Sequence, residues 1–92
     1  MNIQIFEEKS EILKAMAHPH RLCIVKGLID KPCNVNTMQE CLGISQSNVS
    51  QHLNKLKAAG IVRGERCGNE ICYQVVDPTA VKIVKSLFEE EE

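Results

Sequence analysis

The stretch Leu42-Gly43-Ile44-Ser45-Gln46-Ser47-Asn48-Val49-Ser50-Gln51-His52-Leu53-Asn54-Lys55-Leu56 decides how this chain folds. Ser45 is a favourable N-cap, and the apolar residues after it recur at the i, i+4, i+7 spacing of one helical face: Val49, Leu53 and Leu56. Gly43 ends a shorter helix that precedes Ser45, so only a tight turn separates the two helices. The stretch therefore predicts a helix-turn-helix over residues 36–58.

The other side of the second helix is polar and uncharged. Between Ser45 and Asn54 the sequence has no formal charge apart from any on His52, whereas a merely solvated face usually carries Glu and Lys pairs. Amide and hydroxyl side chains can hydrogen-bond to the edges of base pairs in the major groove, and Lys and Arg side chains beyond them can contact phosphates. We therefore predict duplex DNA as partner and expect these contacts: Ser45, Gln46, Ser47, Asn48, Ser50, Gln51, His52, Asn54, Lys55, Lys57, Arg63 and Arg66.

Outward from this stretch, helical spacing of apolar residues predicts a first helix over 1–17 and a last helix over 78–90. Asp77 and Pro78 suit the N-cap and first turn of the last helix, and Pro19 suits the first turn of a second helix. Asn36, followed three residues later by Gln39, predicts a capping box at the start of the third helix.

After Gly60 the apolar period changes from helical to alternating. Ile71, Tyr73 and Val75 alternate with polar residues after a turn at Gly68, which predicts a β-hairpin, or wing, over 61–76. The expected fold is thus mostly α with a small β-hairpin, in the order ααααββα. We expect residues 1–92 to form a single winged helix-turn-helix domain.

The terminal helices carry more apolar surface than the small central module can cover. A symmetric dimer would bury the remainder, because helices from two chains can pack into one interface. We therefore predict a homodimer that forms through the helices at 1–17 and 78–90.

Composition bounds the class of protein. With 92 residues, 43% apolar and 3% aromatic, the chain can build one core and offers few stacking platforms for single strands. It has no apolar run long enough to cross a bilayer, and Glu7 and Glu8 stand where a signal peptide carries basic residues. We therefore expect a cytoplasmic protein with no membrane partner.

The net charge of the chain is -1, yet residues 45–66 hold four basic residues and one acidic residue. A phosphate responds to the charge within a Debye length of ~8 Å, so the local excess of positive charge is compatible with DNA binding.

Five cysteines at irregular spacings argue for free thiols rather than a disulfide framework. Cys33 and Cys41 flank the third helix and are the first candidate pair for sensing a soft metal, a metalloid or a thiol-reactive species. Cys23 and Cys67 are further candidates, and Cys67 is expected to be exposed at the wing tip beside Arg66. Cys72 is expected to pack within the fold. An inert role, with Cys41 buried and Cys33 on the surface, is the alternative.

Three segments in order resemble the ArsR/SmtB family of bacterial winged-helix repressors: Leu13-Lys14-Ala15-Met16-Ala17-His18-Pro19-His20-Arg21-Leu22, then Leu42 to Leu53, then Leu56-Lys57-Ala58-Ala59-Gly60-Ile61-Val62. The resemblance covers essentially the whole chain. It implies a homodimer that sits on operator DNA through the fourth helix and the wing, and that leaves the DNA when an inducer binds.

The family's inducer sites do not carry over to this sequence. The C-x-C pair of its metalloid sensors is replaced by Asn34 and Asn36, whose amides cannot stand in for thiolates. Of the zinc and nickel ligands on the last helix only Asp77 matches, because Thr79 and Glu90 stand where His is needed. The persulfide sensors' pair is also incomplete, since the last helix has no cysteine and Lys26 takes the expected position on the second. The metal, the cofactor and the inducer stay open.

Other classes of function are weaker interpretations. An enzyme would need a nucleophile with an oriented base or a metal cluster, and a couple such as Cys23 with His18 lacks the group that orients the imidazole. A repressor without metal or redox sensing is a closer alternative. So is a protein-interaction module, since winged helices serve that role as well.

Overall fold

The computed structural model describes residues 1–89. Within that range the elements are α1 (Ile3–Met16), α2 (Pro19–Asp30), β1 (Cys33–Asn34), α3 (Val35–Leu42), α4 (Gln46–Ala58), β2 (Val62–Cys67), β3 (Glu70–Val75) and α5 (Pro78–Phe88). The expected winged helix-turn-helix architecture is confirmed, with the short strand β1 as an addition. The predicted end of the last helix at residue 90, and with it Glu90, lies outside the described residues.

Most helix starts follow the expected local chemistry. Ser45 Oγ accepts from the Asn48 backbone N–H at 3.1 Å, and Asp77 Oδ2 accepts from the Ala80 N–H at 2.9 Å. Pro19 and Pro78 occupy first-turn positions of α2 and α5.

The predicted start of α3 is wrong. The N-cap is Asn34, whose Oδ1 accepts from the Thr37 N–H at 2.8 Å, while Asn36 lies inside the helix. The physical reason is β1: pairing of Cys33 and Asn34 with β3 holds this segment extended and starts the helix two residues earlier than the capping-box pattern predicts.

The wing is a three-stranded antiparallel sheet in the order β1-β3-β2. Gly68 and Asn69 form the two-residue loop between β2 and β3, and Gly68 has φ 66°, which a side chain would strain. Gly64, on β2, is needed for side-chain packing rather than for a turn. A Cβ there would meet side-chain atoms of Ile71 and Tyr73 at 2.9 Å, so its absence lets the Tyr73 ring lie across β2.

One apolar core joins the helices to the base of the wing. Its buried members are Met16, Ile24, Val25, Leu28, Met38, Val49, Leu53, Leu56, Ile61, Val62, Tyr73, Ala80 and Val84. Three of these come from α4 and are at most 1% exposed, so that helix is fixed by its apolar side and presents its polar side outward.

A side-chain hydrogen bond links the two terminal helices. Lys9 Nζ of α1 donates to Thr79 Oγ1 of α5 at 3.4 Å. Large apolar side chains on these helices stay exposed to solvent: Phe6 at 55%, Leu13 at 53% and Leu87 at 52%. None of the helices within residues 1–89 combines the length and the apolarity that a membrane crossing requires.

Candidate nucleic-acid interface

The outer side of α4 forms an uncharged polar surface. Ser47, Gln51 and Asn54 lie three and four residues apart, which places them on one face, and all are exposed. Gln46 and Asn48 are exposed at the start of the helix, while Ser50 is half-buried at its flank. This surface offers amide and hydroxyl groups, each able to donate and to accept a hydrogen bond.

The start of α4 is open to an anion. Ser45 uses its Oγ to cap the Asn48 N–H, and no acidic residue stands in the first turn. The remaining N–H groups of that turn and the positive end of the helix dipole therefore face outward with no carboxylate to neutralise them.

The predicted basic contacts flank this surface in two groups. Lys55 and Lys57 are in the last turn of α4, and Lys57 Nζ lies 5.9 Å from the centre of the Tyr73 ring, at the junction with the wing. Arg63 and Arg66 are exposed on β2. The Arg63 guanidinium is 3.7 Å from the Glu65 carboxylate, so part of its charge is offset, whereas within residues 1–89 Arg66 forms no ion pair.

His52 differs from the other predicted contacts because it faces the start of α2. Its Nδ1 lies 3.3 Å from Nη1 of Arg21, and its ring centre is 4.6 Å from that of His18 and 5.6 Å from that of His20. The sequence predicts His52 as a DNA contact, and no local pattern connects it with the two histidines that lie 32 and 34 residues earlier. The His-Pro-His pattern at a helix start was the available signal, but only the packing of α2 against α4 brings the rings together.

Burial and nearby charges favour the neutral form of two of these imidazoles, His18 and His52. Burial lowers the pKa of His52, and the neighbouring His18 and Arg21 lower it further. Burial, followed by Arg21 and His20, likewise lowers the pKa of His18. At neutral pH His52 therefore adds no positive charge to the α4 surface.

Four of the five thiols lie around one cavity. Between α2, α3 and β3 a largely apolar cavity of about 480 Å³ is lined by Cys23, Cys33, Cys41 and Cys72. Cys41 is exposed rather than buried, because its side of α3 turns away from the core, and Cys33 is half-buried rather than on the surface. Burial, and then the nearby Cys41, raise the pKa of the Cys33 thiol.

The remaining candidate thiol, Cys67, lies apart from that cavity's lining. It is exposed at the end of β2, as expected, and interacts with Cys72 on the neighbouring strand. Interaction with the Cys67 thiol, followed by burial, raises the pKa of Cys72. The expectation that Cys72 packs agrees with its half-buried position.

Known proteins resemble this chain in sequence. A family model described as a helix-turn-helix domain matches residues 16–65. The HTH-type transcriptional repressor SmtB of Mycobacterium tuberculosis is 41% identical over 81 residues, which cover 88% of this chain and 60% of SmtB. The transcriptional repressor PagR of Bacillus anthracis is 42% identical over 82 residues, covering 88% of this chain and 82% of PagR. The chain thus spans only 60% of the length of the SmtB repressor it matches.

Solved structures resemble it in fold. The crystal structure of PagR superposes with a TM-score of 0.85 at 39% identity, covering 94% of this chain and 99% of PagR. Reduced HlyU from Vibrio cholerae superposes with a TM-score of 0.89 at 28% identity, covering 95% and 92% of the two chains.

Proposed function

This chain belongs to the ArsR/SmtB family of winged helix-turn-helix regulators, and we propose that it is a transcriptional repressor that binds operator DNA as a homodimer. SmtB and PagR are both named as transcriptional repressors, which supports a regulator rather than an enzyme. Such a protein acts in the cytoplasm, where the DNA is.

The observation that carries the proposal is the outer side of α4. Its exposed amides and hydroxyls at Gln46, Ser47 and Gln51 read base edges in the major groove. The free N–H groups at the start of α4 hold one phosphate. Lys55, Lys57 and Arg66 hold others along the groove and at the wing, which fixes the register of the helix.

The apolar surface formed by α1 and α5 is the dimer interface in this proposal. Its exposed side chains include Phe6, Leu13 and Leu87, and burying the exposed half of each against a partner contributes about 0.8–1.5 kcal/mol. A two-fold axis through this surface gives two copies of α4, which then read two half-sites of one operator.

Release of DNA by an inducer is the finer part of the proposal. The thiol-lined cavity joins α2 to α3 and β3, so a soft metal, a metalloid or a thiol-reactive molecule there acts on both the helix-turn-helix and the wing. Cys33 and Cys41 are the first candidates, with Cys23 on the same cavity and Cys67 on the wing. The alternative is a repressor that ignores these reagents.

The test of DNA binding is its salt dependence, measured by fluorescence anisotropy on a duplex selected from a random pool. A dimer that neutralises about six phosphates gives a log–log slope of about -5 and loses about a thousandfold in affinity between 50 and 200 mM salt. Affinity that is absent at low salt, or independent of salt, would instead favour a protein-interaction module.

A further inference from the structure

Three imidazole rings converge where the start of α2 meets the middle of α4. The ring centres of His18, His20 and His52 are 4.6, 5.3 and 5.6 Å apart in pairs. One nitrogen from each ring lies within 4.8 Å of the other two, and all three residues are half-buried. Among residues 1–89 no other trio of His, Cys, Asp or Glu side chains meets this condition.

Two separate elements hold the trio in place. His18 is the N-cap of α2 and His20 follows Pro19 in its first turn, so the local backbone sets both rings at the same helix end. His52 arrives on α4, whose position is fixed by buried Leu53 and its other core residues. The convergence is therefore part of the packed fold.

We propose that His18, His20 and His52 bind one divalent transition-metal ion of the zinc class, with water at the fourth position. Three histidines and an open position are a known zinc coordination set, and imidazole suits zinc, copper and nickel. With Zn–N bonds of about 2.1 Å, tetrahedral geometry needs ligand nitrogens about 3.4 Å apart. Rotation of the half-buried rings brings the nitrogens from within 4.8 Å of one another to this shorter separation.

Two existing contacts oppose the ion and limit its affinity. His18 Nδ1 accepts from the His20 backbone N–H at 3.0 Å, and Arg21 Nη1 lies against Nδ1 of His52. In a neutral ring whose Nδ1 accepts, the proton sits on Nε2, so the metal has to displace a contact or shift the proton between nitrogens. The Arg21 charge also repels a cation. Removing that charge should therefore strengthen the site.

The experiment titrates the whole metal-free protein, with Zn²⁺ by calorimetry and with Co²⁺ as a spectroscopic probe. We expect one ion per chain and visible Co²⁺ bands without the near-ultraviolet thiolate charge-transfer bands that the cysteines would produce. His20→Ala should weaken binding at least tenfold. His18→Asn should do the same while keeping the melting temperature, because Asn retains the N-cap.

Control variants separate this site from the thiols. The double variant Cys33→Ser, Cys41→Ser should bind the ion as the parent does, and Arg21→Gln should bind it more tightly. Co²⁺ bands that disappear in the Cys33→Ser, Cys41→Ser variant, or an affinity unchanged by His20→Ala, would overturn the proposal. So would a site that binds inorganic phosphate through these histidines and no Zn²⁺. None of these readouts contains DNA, so they stand apart from the test of the proposed function.

Discussion

At the level of single residues, the candidate sensor thiols differ because their surroundings differ. Cys41 is exposed at the mouth of the cavity, whereas burial raises the pKa of Cys33 and keeps that thiol protonated at neutral pH. A thiolate, not a thiol, attacks electrophiles and binds soft metals. An inducer that needs both sulfurs must therefore draw the proton from Cys33, and metal binding does this directly.

The thiol proposal is tested with a mobility shift in which arsenite, cadmium, an oxidant or a persulfide donor is added to the DNA complex. At least one reagent should release the DNA from the parent protein, and Cys33→Ser with Cys41→Ser should raise the dose needed at least tenfold. Cys67→Ser, outside the cavity lining, separates a sensor at the cavity from one on the wing: it should respond as the parent does if Cys33 and Cys41 sense the reagent. A parent complex that resists all four reagents means that the cysteines do not sense them.

Residue-level features separate into those that local sequence predicts and those that it does not. The caps at Ser45 and Asp77 could be predicted because the capping group and the capped N–H lie three residues apart. The histidine trio could not, since its members are distant in sequence and meet only through the packing of α2 on α4.

At the level of elements, the start of α4 has two tasks that a pair of substitutions separates. Ser45 Oγ stabilises the helix by capping the Asn48 N–H, and the same helix end faces the proposed phosphate. Ser45→Ala should lower the free energy of unfolding by about 1 kcal/mol, measured by urea denaturation, because the cap is lost. Ser45→Asp keeps a capping oxygen and should stay within about 0.5 kcal/mol of the parent.

DNA affinity should order these two variants differently. Ser45→Asp places a negative charge at the proposed phosphate site, so we expect affinity to fall at least tenfold although stability is kept. Ser45→Ala should bind better than Ser45→Asp. The reverse order of affinities would contradict a phosphate at this helix start.

The elements themselves show where sequence periodicity suffices. The apolar spacing along α4 and the alternation in β3 predict both elements, because each pattern reports which side faces the core. Strand β1 could not be predicted, because two residues are too few to show an alternating pattern and their pairing with β3 is a long-range contact. The predicted start of α3 is wrong for the same reason, since β1 directly precedes it.

At the level of the whole molecule, the exposed apolar surface on α1 and α5 predicts the assembly. Leu13→Glu together with Leu87→Glu should give a folded monomer in light scattering, because both side chains are more than half exposed within one chain. Operator affinity should fall with the loss of the second α4. Ile71→Glu, at an exposed apolar position on the wing, should stay dimeric. A double variant that remains a dimer would place the interface elsewhere.

Base reading by α4 is the claim on which the proposed function depends. Its most direct measurement is the ratio of affinities for the selected duplex and a scrambled duplex of the same length, compared between the parent and Gln46→Ala. We expect a ratio at least about fivefold lower in Gln46→Ala, since a base contact is worth about 1–3 kcal/mol, while Lys55→Ala weakens both duplexes equally. A ratio that Gln46→Ala leaves unchanged would contradict base reading at this position.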